Sequence, residues 1–363
     1  MATLIINTKK ILENINKLDE YFSKQNIKWT LVTKILCGYK PALEKIICSD
    51  VIKKLHSVAD SRISNLETIK KIDPNIQTMY IKPPSINSVT RLVQNADISV
   101  NTSLQALQAL NEESKKQGKK HKVIIMIELG ELREGIQREE ILKFYEKAFS
   151  LKNIKVIGIG TNLGCMHGVE PTYDKLIQLA LYKQLIELKF DRKMEILSGG
   201  SSITLPILLR KKVPGEVNHF RIGETAFFGI SLETGKKFKS LSTATFDFCS
   251  NIIELEKKFT IPDGNLSDAN IGLTAKIETE DHNSPSKKIY RCIVDFGQLD
   301  VDVNGLEPKD ENVEFAGTTS DMTVYNVGEE KKNLKVGGKI HFRPNYIATA
   351  RIMNSRYISK TVK

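Results

Sequence analysis

Several residues of chemically useful type stand at the ends of short apolar runs. Lys34 closes the run Trp29-Thr-Leu-Val-Thr33 and is followed by Ile-Leu-Cys-Gly. An amine at the end of a buried strand is partly desolvated, which disfavours the ammonium form and leaves a nucleophile able to form a Schiff base. A lone lysine there is more often one that snorkels to the surface, at roughly 3 to 1. The run Ser198-Gly-Gly-Ser-Ser202 precedes a helical stretch. Successive backbone N–H groups beside a helix start form a phosphate cradle. Taken alone the run is a weak signal, because Gly-Ser turns are common. Two arginines stand in comparable places, Arg133 in Glu128-Leu-Gly-Glu-Leu-Arg133-Glu-Gly135 and Arg221 in Arg221-Ile-Gly223-Glu224. A buried arginine needs an acceptor, here either a carboxylate such as Glu224 or a ligand heteroatom. Between them, Gly158-Ile-Gly-Thr-Asn162-Leu-Gly-Cys165 is a glycine-rich exit carrying polar side chains.

The elements that must position these groups follow from the hydrophobic period. An amphipathic helix is predicted over residues 8–25, with Ile11, Leu12, Ile15, Leu18 and Phe22 on one face. Strand-like runs follow at 29–33, 55–59, 78–81, 98–100, 123–127, 156–159, 194–197 and 219–222, separated by stretches of helical period such as 64–72, 103–116, 138–151 and 171–189. Strands alternating with helices in this way predict a (β/α)8 TIM barrel. The residues singled out above all lie at or just beyond the C-terminal ends of predicted barrel strands, and that end of a barrel is where its chemistry sits. SGGSS follows the seventh strand, and loops after strands seven and eight build barrel phosphate sites. An amine, a phosphate cradle and arginines around one mouth describe a site for a phosphorylated carbonyl cofactor, a description pyridoxal phosphate fits.

After Leu232 the pattern changes to short β-rich segments, at 244–256, 271–278, 288–295, 313–316 and 339–342, punctuated by Gly, Asp, Asn and Pro. Strands without helices between them predict a C-terminal all-β domain. The expected division is 1–232 and 233–363, with the first few residues candidates to join the β domain.

The bulk numbers exclude several classes. Apolar residues at 40% and charged residues at 27% suit a globular chain rather than a disordered one. The net charge of +11 comes from dispersed lysines, and the one dense stretch, KKQGKKHK at 115–122, reads as a solvated turn, so no nucleic-acid partner is expected. The apolar run near the N-terminus is too short for a signal peptide and no later run reaches membrane-span length, so a cytoplasmic protein with no membrane partner is expected. Five widely spaced cysteines without CxxC read as reduced thiols, with no metal site.

The order of motifs resembles that of the alanine-racemase-like, fold-type-III pyridoxal-phosphate enzymes, nearest to their alanine/ornithine racemase branch. The matching pieces are VTKILCG around Lys34, VADSRISNL at 58–66, IELGELREGI at 127–136, GIGTNLGC at 158–165, SGGSS at 198–202, RIGE at 221–224, GTTSD at 317–321 and PNY at 344–346. They span nearly the whole chain. The resemblance implies an amino-acid racemase acting on ornithine, another basic amino acid or alanine, working as a homodimer. It also implies that Lys34 carries pyridoxal phosphate and serves as one base. Arg133 would lie near the cofactor's phenolic oxygen and the substrate carboxylate, and Asn162 would stand where alanine racemases place a ring-packing histidine. Ser198, Gly200, Ser201 and Ser202 would bind phosphate, with Tyr346 adding a hydroxyl. Arg221 would donate to the pyridine nitrogen and, being unable to lose its proton, favour the unprotonated ring and a short-lived carbanion suited to proton exchange.

Racemisation needs a base on each face of Cα, or one that moves. Alanine racemases take the second from a tyrosine in a Gly-Tyr-Ala-Asp-Gly segment, whereas this chain reads Asp295-Phe-Gly-Gln-Leu-Asp300-Val-Asp302. Asp300, Asp321 and Cys165 are the candidates, although turn aspartates and a small buried cysteine are their ordinary roles. The chain also reads CMHGV and TSDM where the branch tends to show an aromatic and SDH. A decarboxylase of the same fold and a non-catalytic cofactor-binding protein are the alternatives; Arg221 argues against the first and the β domain against the second.

Overall fold

In the computed structural model, residues 2–264, 272–275, 287–331 and 333–363 are described, so the β segment expected at 271–278 lies partly outside the described residues. The chain forms two compact units, Lys9–Thr243 and a second made of Met1–Thr8 with Ala244–Lys363.

The strand of the second unit that comes first in the chain is β1 (Thr3–Ile6). The first unit is a closed barrel of parallel strands. These are β2 (Lys28–Val32), β3 (Ser57–Asp60), β4 (Thr78–Tyr80), β5 (Ile98–Asn101), β6 (His121–Met126), β7 (Ile154–Gly160), β8 (Ile196–Ser198) and β9 (His219–Ile222). β2 pairs with β9, Thr30 opposite Arg221, and that pairing closes the ring. The strands are buried along most of their length, the expected state of a parallel sheet covered by helices. Val32, Ala59, Met79, Ile98, Val100, Ile124, Met126, Ile157 and Ile196 pack as one apolar cluster.

The opening helix runs Thr8–Ser23 and buries Ile11, Ile15, Leu18 and Phe22, while Leu12 is only half-buried at the margin of the face. Phe22 stacks on Trp29 of β2 and Phe220 of β9, with ring centroids at 5.6 and 6.0 Å. Burying rings of this size contributes on the order of 2 kcal/mol each. The helix also explains why the barrel unit runs past Leu232. Asn14 on its buried side donates to Ala226 O and Ser242 O, and accepts from Ser242 N at 2.6 Å. Phe238 and Leu241 are buried. Residues 233–243 are therefore held to the barrel and the division falls after Thr243.

The second unit is one sheet with order β11-β14-β15-β12-β10-β1-β17, to which β16 adds by pairing with β10 and β13. Its strands are β10 (Phe246–Phe259), β11 (Leu273–Thr274), β12 (Lys288–Val294), β13 (Leu306–Pro308), β14 (Glu314–Thr318), β15 (Thr323–Gly328), β16 (Lys339–Pro344) and β17 (Ser359–Val362). β1 lies between β10, antiparallel, and β17, parallel, so the N-terminal residues belong to this unit. Phe248, Phe296, Phe342 and Tyr325 form an aromatic core, with centroids between 5.1 and 6.0 Å. A helix at Tyr346–Asn354, capped by the Asn345 side chain accepting from Ala348 N, follows β16 in a region where only strands were predicted.

Candidate active site at the barrel mouth

Lys34 opens a single 3-10 turn (Lys34–Leu36) directly beyond β2, and its side chain is exposed. The turn reverses at Cys37 and Gly38, both with positive φ. A Cβ on Gly38 would sit 2.6 Å from Asn65 Oδ1, so a glycine is required for both angle and space. The VADSR segment braces this turn. Thr33 Oγ1 donates to Asp60 Oδ2 at 3.2 Å, and Asp60 Oδ1 accepts from Arg62 N at 2.9 Å and Asn65 Nδ2 at 3.1 Å. Burial pushes the Asp60 carboxyl up to about 6 in spite of those donors.

Arg221 is buried, and the structure settles which acceptors it has. It donates to Ser198 Oγ, to Asn162 Oδ1, and to Thr161 O at 2.8 Å. Glu224, suggested by its place in the sequence, is not a partner. The half-buried Glu224 carboxyl is pushed up by burial, against the smaller downward pull of the Lys34 charge. Burial lowers the Arg221 guanidinium to about 10, and it remains a cation at neutral pH.

Asn162 links Arg221 to the neighbouring rim. Its amide donates to Glu134, whose carboxylate also holds Arg133, with Arg133 Nη2 at 2.6 Å from Glu134 Oε1. Arg133, Glu134, Asn162 and Arg221 are thus one connected network. The loop that follows Asn162 is fixed by Glu131, a buried carboxylate that accepts from the N–H groups of Gly164, Cys165, Met166, His167, Gly168 and Val169. Burial pushes the Glu131 carboxyl up, but these donors outweigh it and hold it at about 2. Cys165 is exposed on this loop, and desolvation holds its thiol above the ordinary range against the pull of Arg133.

The loop after β8 has the features of an anion site. Gly200 is buried with φ +121, and a Cβ there would lie 2.5 Å from Thr204 Oγ1. Among the described residues, no protein acceptor takes the N–H of Gly200 or Ser201. Buried backbone donors nearly always have partners, so orphans in a polar turn fit a bound anion such as a phosphate. Ser202 Oγ accepts from Thr225 N at 3.3 Å and keeps its own proton to donate. Ser198, expected in the same cradle, instead uses its hydroxyl on Arg221 and on His219 Nδ1 at 2.9 Å.

The remaining expected residues lie in the second unit. Asp300 is half-buried and accepts from Ser355 Oγ at 3.2 Å, while Asp321 is exposed beside Thr319 and Ser320. Their loops touch, since a Cβ on Gly297 would come within 2.4 Å of Asp321 N. Tyr346 is half-buried at the start of its helix. Sequence reasoning missed Glu131, Glu134 and His219. The acidic pair lay inside IELGELREGI, and only its distance to the next loop reveals what it does. Among the described residues, no group of three His, Cys, Asp or Glu side chains is placed to hold a metal, and no helix is long and apolar enough to cross a membrane.

Comparison with known proteins adds to this geometry. Residues 6–231 match the family described as alanine racemase, N-terminal domain. The ornithine racemase of Acetoanaerobium sticklandii is 31% identical over 98% of both chains. The lysine racemase of Thermotoga maritima is 29% identical over 98% of this chain and 97% of its own. An alanine racemase structure from Bartonella henselae, with covalently bound pyridoxal phosphate, superimposes with a TM-score of 0.73 at 13% identity, covering 100% of this chain and 99% of that one.

Proposed function

The chain belongs to the alanine racemase N-terminal-domain family, and from that premise we propose that it racemises a basic amino acid, ornithine or lysine, at the mouth of its barrel. It is an amino-acid racemase, and its cofactor is pyridoxal phosphate. The observation that carries the choice of a basic amino acid is the full-length match to an ornithine racemase and a lysine racemase, through both units of the chain.

Lys34 would hold the cofactor covalently, Gly200, Ser201 and Ser202 its phosphate, and Tyr346 would add a hydroxyl. Bound there, pyridoxal phosphate withdraws electrons from Cα and acidifies its proton. Arg221 would donate to the ring nitrogen; it can only donate, and its other N–H groups are anchored by Ser198, Asn162 and Thr161. Arg133, steadied by Glu134, would meet the substrate carboxylate. Lys34 would take or return the Cα proton on one face. On the other face the candidates remain Asp300, Asp321 and Cys165. The raised thiol of Cys165 stays protonated at neutral pH, so it is suited to giving a proton rather than taking one.

The working form is read as a homodimer, as the family resemblance implies, and the compartment as a cytoplasm that keeps Cys37, Cys48, Cys165, Cys249 and Cys292 as thiols. Sedimentation of fully active enzyme as a monomer overturns the dimer. The experiment for the function compares wild type with Lys34→Ala by visible absorbance and by deuterium uptake at Cα across L-amino acids. A yellow wild type exchanging ornithine or lysine, and a variant without covalently held cofactor, are expected. A wild type that stays colourless with added cofactor, or one that releases CO2 instead, refutes the reading.

A further inference from the structure

A chain of buried polar side chains runs behind Arg221, away from the mouth. Ser198 Oγ meets His219 Nδ1 at 2.9 Å, His219 Nε2 meets Thr30 Oγ1 at 2.8 Å, Thr30 Oγ1 meets Ser57 Oγ at 2.7 Å, and Ser57 Oγ meets His56 Nδ1 at 3.3 Å. Ser198, His219, Thr30 and Ser57 are all buried. Arg221, at the head of this chain, has protons only to give. We propose that His219 is a positioning residue for Arg221, fixed as the neutral tautomer with its proton on Nε2 and acting through Ser198.

The direction follows by elimination. Ser198 Oγ accepts from Arg221, so its single proton must go elsewhere, and His219 Nδ1 is the acceptor in reach. That requires Nδ1 to be bare. Neutral His219 then carries its proton on Nε2 and donates to Thr30, which donates to Ser57, which donates to His56 Nδ1. The reverse order would leave the Ser198 proton with no acceptor among the described residues, and a buried donor left unmade is destabilising. Neutrality has independent support. Burial holds His219 well below its ordinary value, and the charges of Arg221 and Lys28 push the same way. His56 packs edge-on to it at 4.9 Å and is itself lowered by burial to about 4.

The consequence is mechanical. Ser198 can rotate its lone pair toward Arg221 only while His219 takes its proton. The guanidinium fork is thereby locked in the plane that also serves Thr161 and Asn162. This inference rests on the proposed role of Arg221 at the cofactor ring nitrogen for its link to the reaction, but not for the order of protons.

Two arms test it. In the first, protein freed of cofactor and labelled with 15N-histidine is examined by NMR from about pH 5.5 to 8.5, with the His219 signals identified by their loss in His219→Asn. A persistent Nε2–H tautomer is expected; a Nδ1–H tautomer or an imidazolium overturns the inference. In the second, the loaded enzyme is compared with Ser198→Ala, His219→Leu and His219→Asn. Ser198→Ala and His219→Leu should lower kcat roughly ten- to hundredfold, the size outer partners have at metal sites, with KM little changed and a shifted visible band. His219→Asn keeps an acceptor for Ser198 and should recover most of kcat. Equal kcat and band in all variants, or no recovery in His219→Asn, overturns the positioning role. A cofactor-free sample reads the tautomer by itself, so its failure is distinguishable from a failure of the racemase reading.

Discussion

Replacing Glu131 by glutamine should release the loop 163–169. The carboxylate gathers six successive N–H groups, from Gly164 to Val169, and those donors hold it at about 2 against an ordinary value of 4.5. A depression of that size corresponds to about 3 kcal/mol of preference for the folded, ionised state. Because the folded value is the lower one, this stability is present above about pH 4.5 and is lost as pH falls toward 2. Glutamine keeps one oxygen but turns an N–H toward N–H groups, so most of the preference disappears. The loss is local, and amide hydrogen exchange of residues 164–169 is the direct assay. At pH 7 the variant's protection should fall about a hundredfold, since each 1.4 kcal/mol is a factor of ten. The difference between variant and wild type should shrink as both are brought below about pH 4. Unchanged protection at pH 7 would show that the loop is held by something other than this carboxylate. A difference independent of pH would show that shape, and not charge, does the holding.

Asp60→Asn should alter the pH dependence of stability with the opposite sign. The folded value of Asp60 is raised to about 6 from 3.8, so its contribution is full below about pH 4 and is lost as pH rises through 6. Urea unfolding should therefore show wild type losing up to about 3 kcal/mol across that window while the variant stays flat; a variant weakened most at pH 7 contradicts this. Arg221→Lys replaces a planar fork by one ammonium that cannot reach Ser198, Thr161 and Asn162 together. It should cost about 1–3 kcal/mol in thermal unfolding from the acceptors left bare, and unaltered stability would mean those acceptors find other donors.

The barrel was legible because alternation of apolar runs with helical period is a local property, repeated along the chain. Short strands such as β4 and β8 were found within a residue or two of their observed ends. The placement of the candidate site residues was legible for a related reason: strand ends can be located in sequence, and a barrel brings its strand ends to one face. Lys34, Arg133, Asn162, Arg221 and the SGGSS turn therefore fall on the barrel's mouth together. Partnership was not legible, because it depends on side chains far apart in sequence. The sequence set Glu224 close to Arg221, yet Arg221 binds Ser198, Thr161 and Asn162 and not Glu224. The reason is that residues three apart across a strand-to-helix turn point in different directions. Glu131 looked like one more acid in a charged loop until the next barrel loop folded its amides around it. β1 shows the same limit. Four residues at the chain's start have too little period to read as a strand, and their partners, β10 and β17, come more than two hundred residues later. Local composition determined which elements form and which ends carry reactive groups; tertiary structure decided who bonds to whom, because a hydrogen bond needs a distance and a direction that only packing supplies.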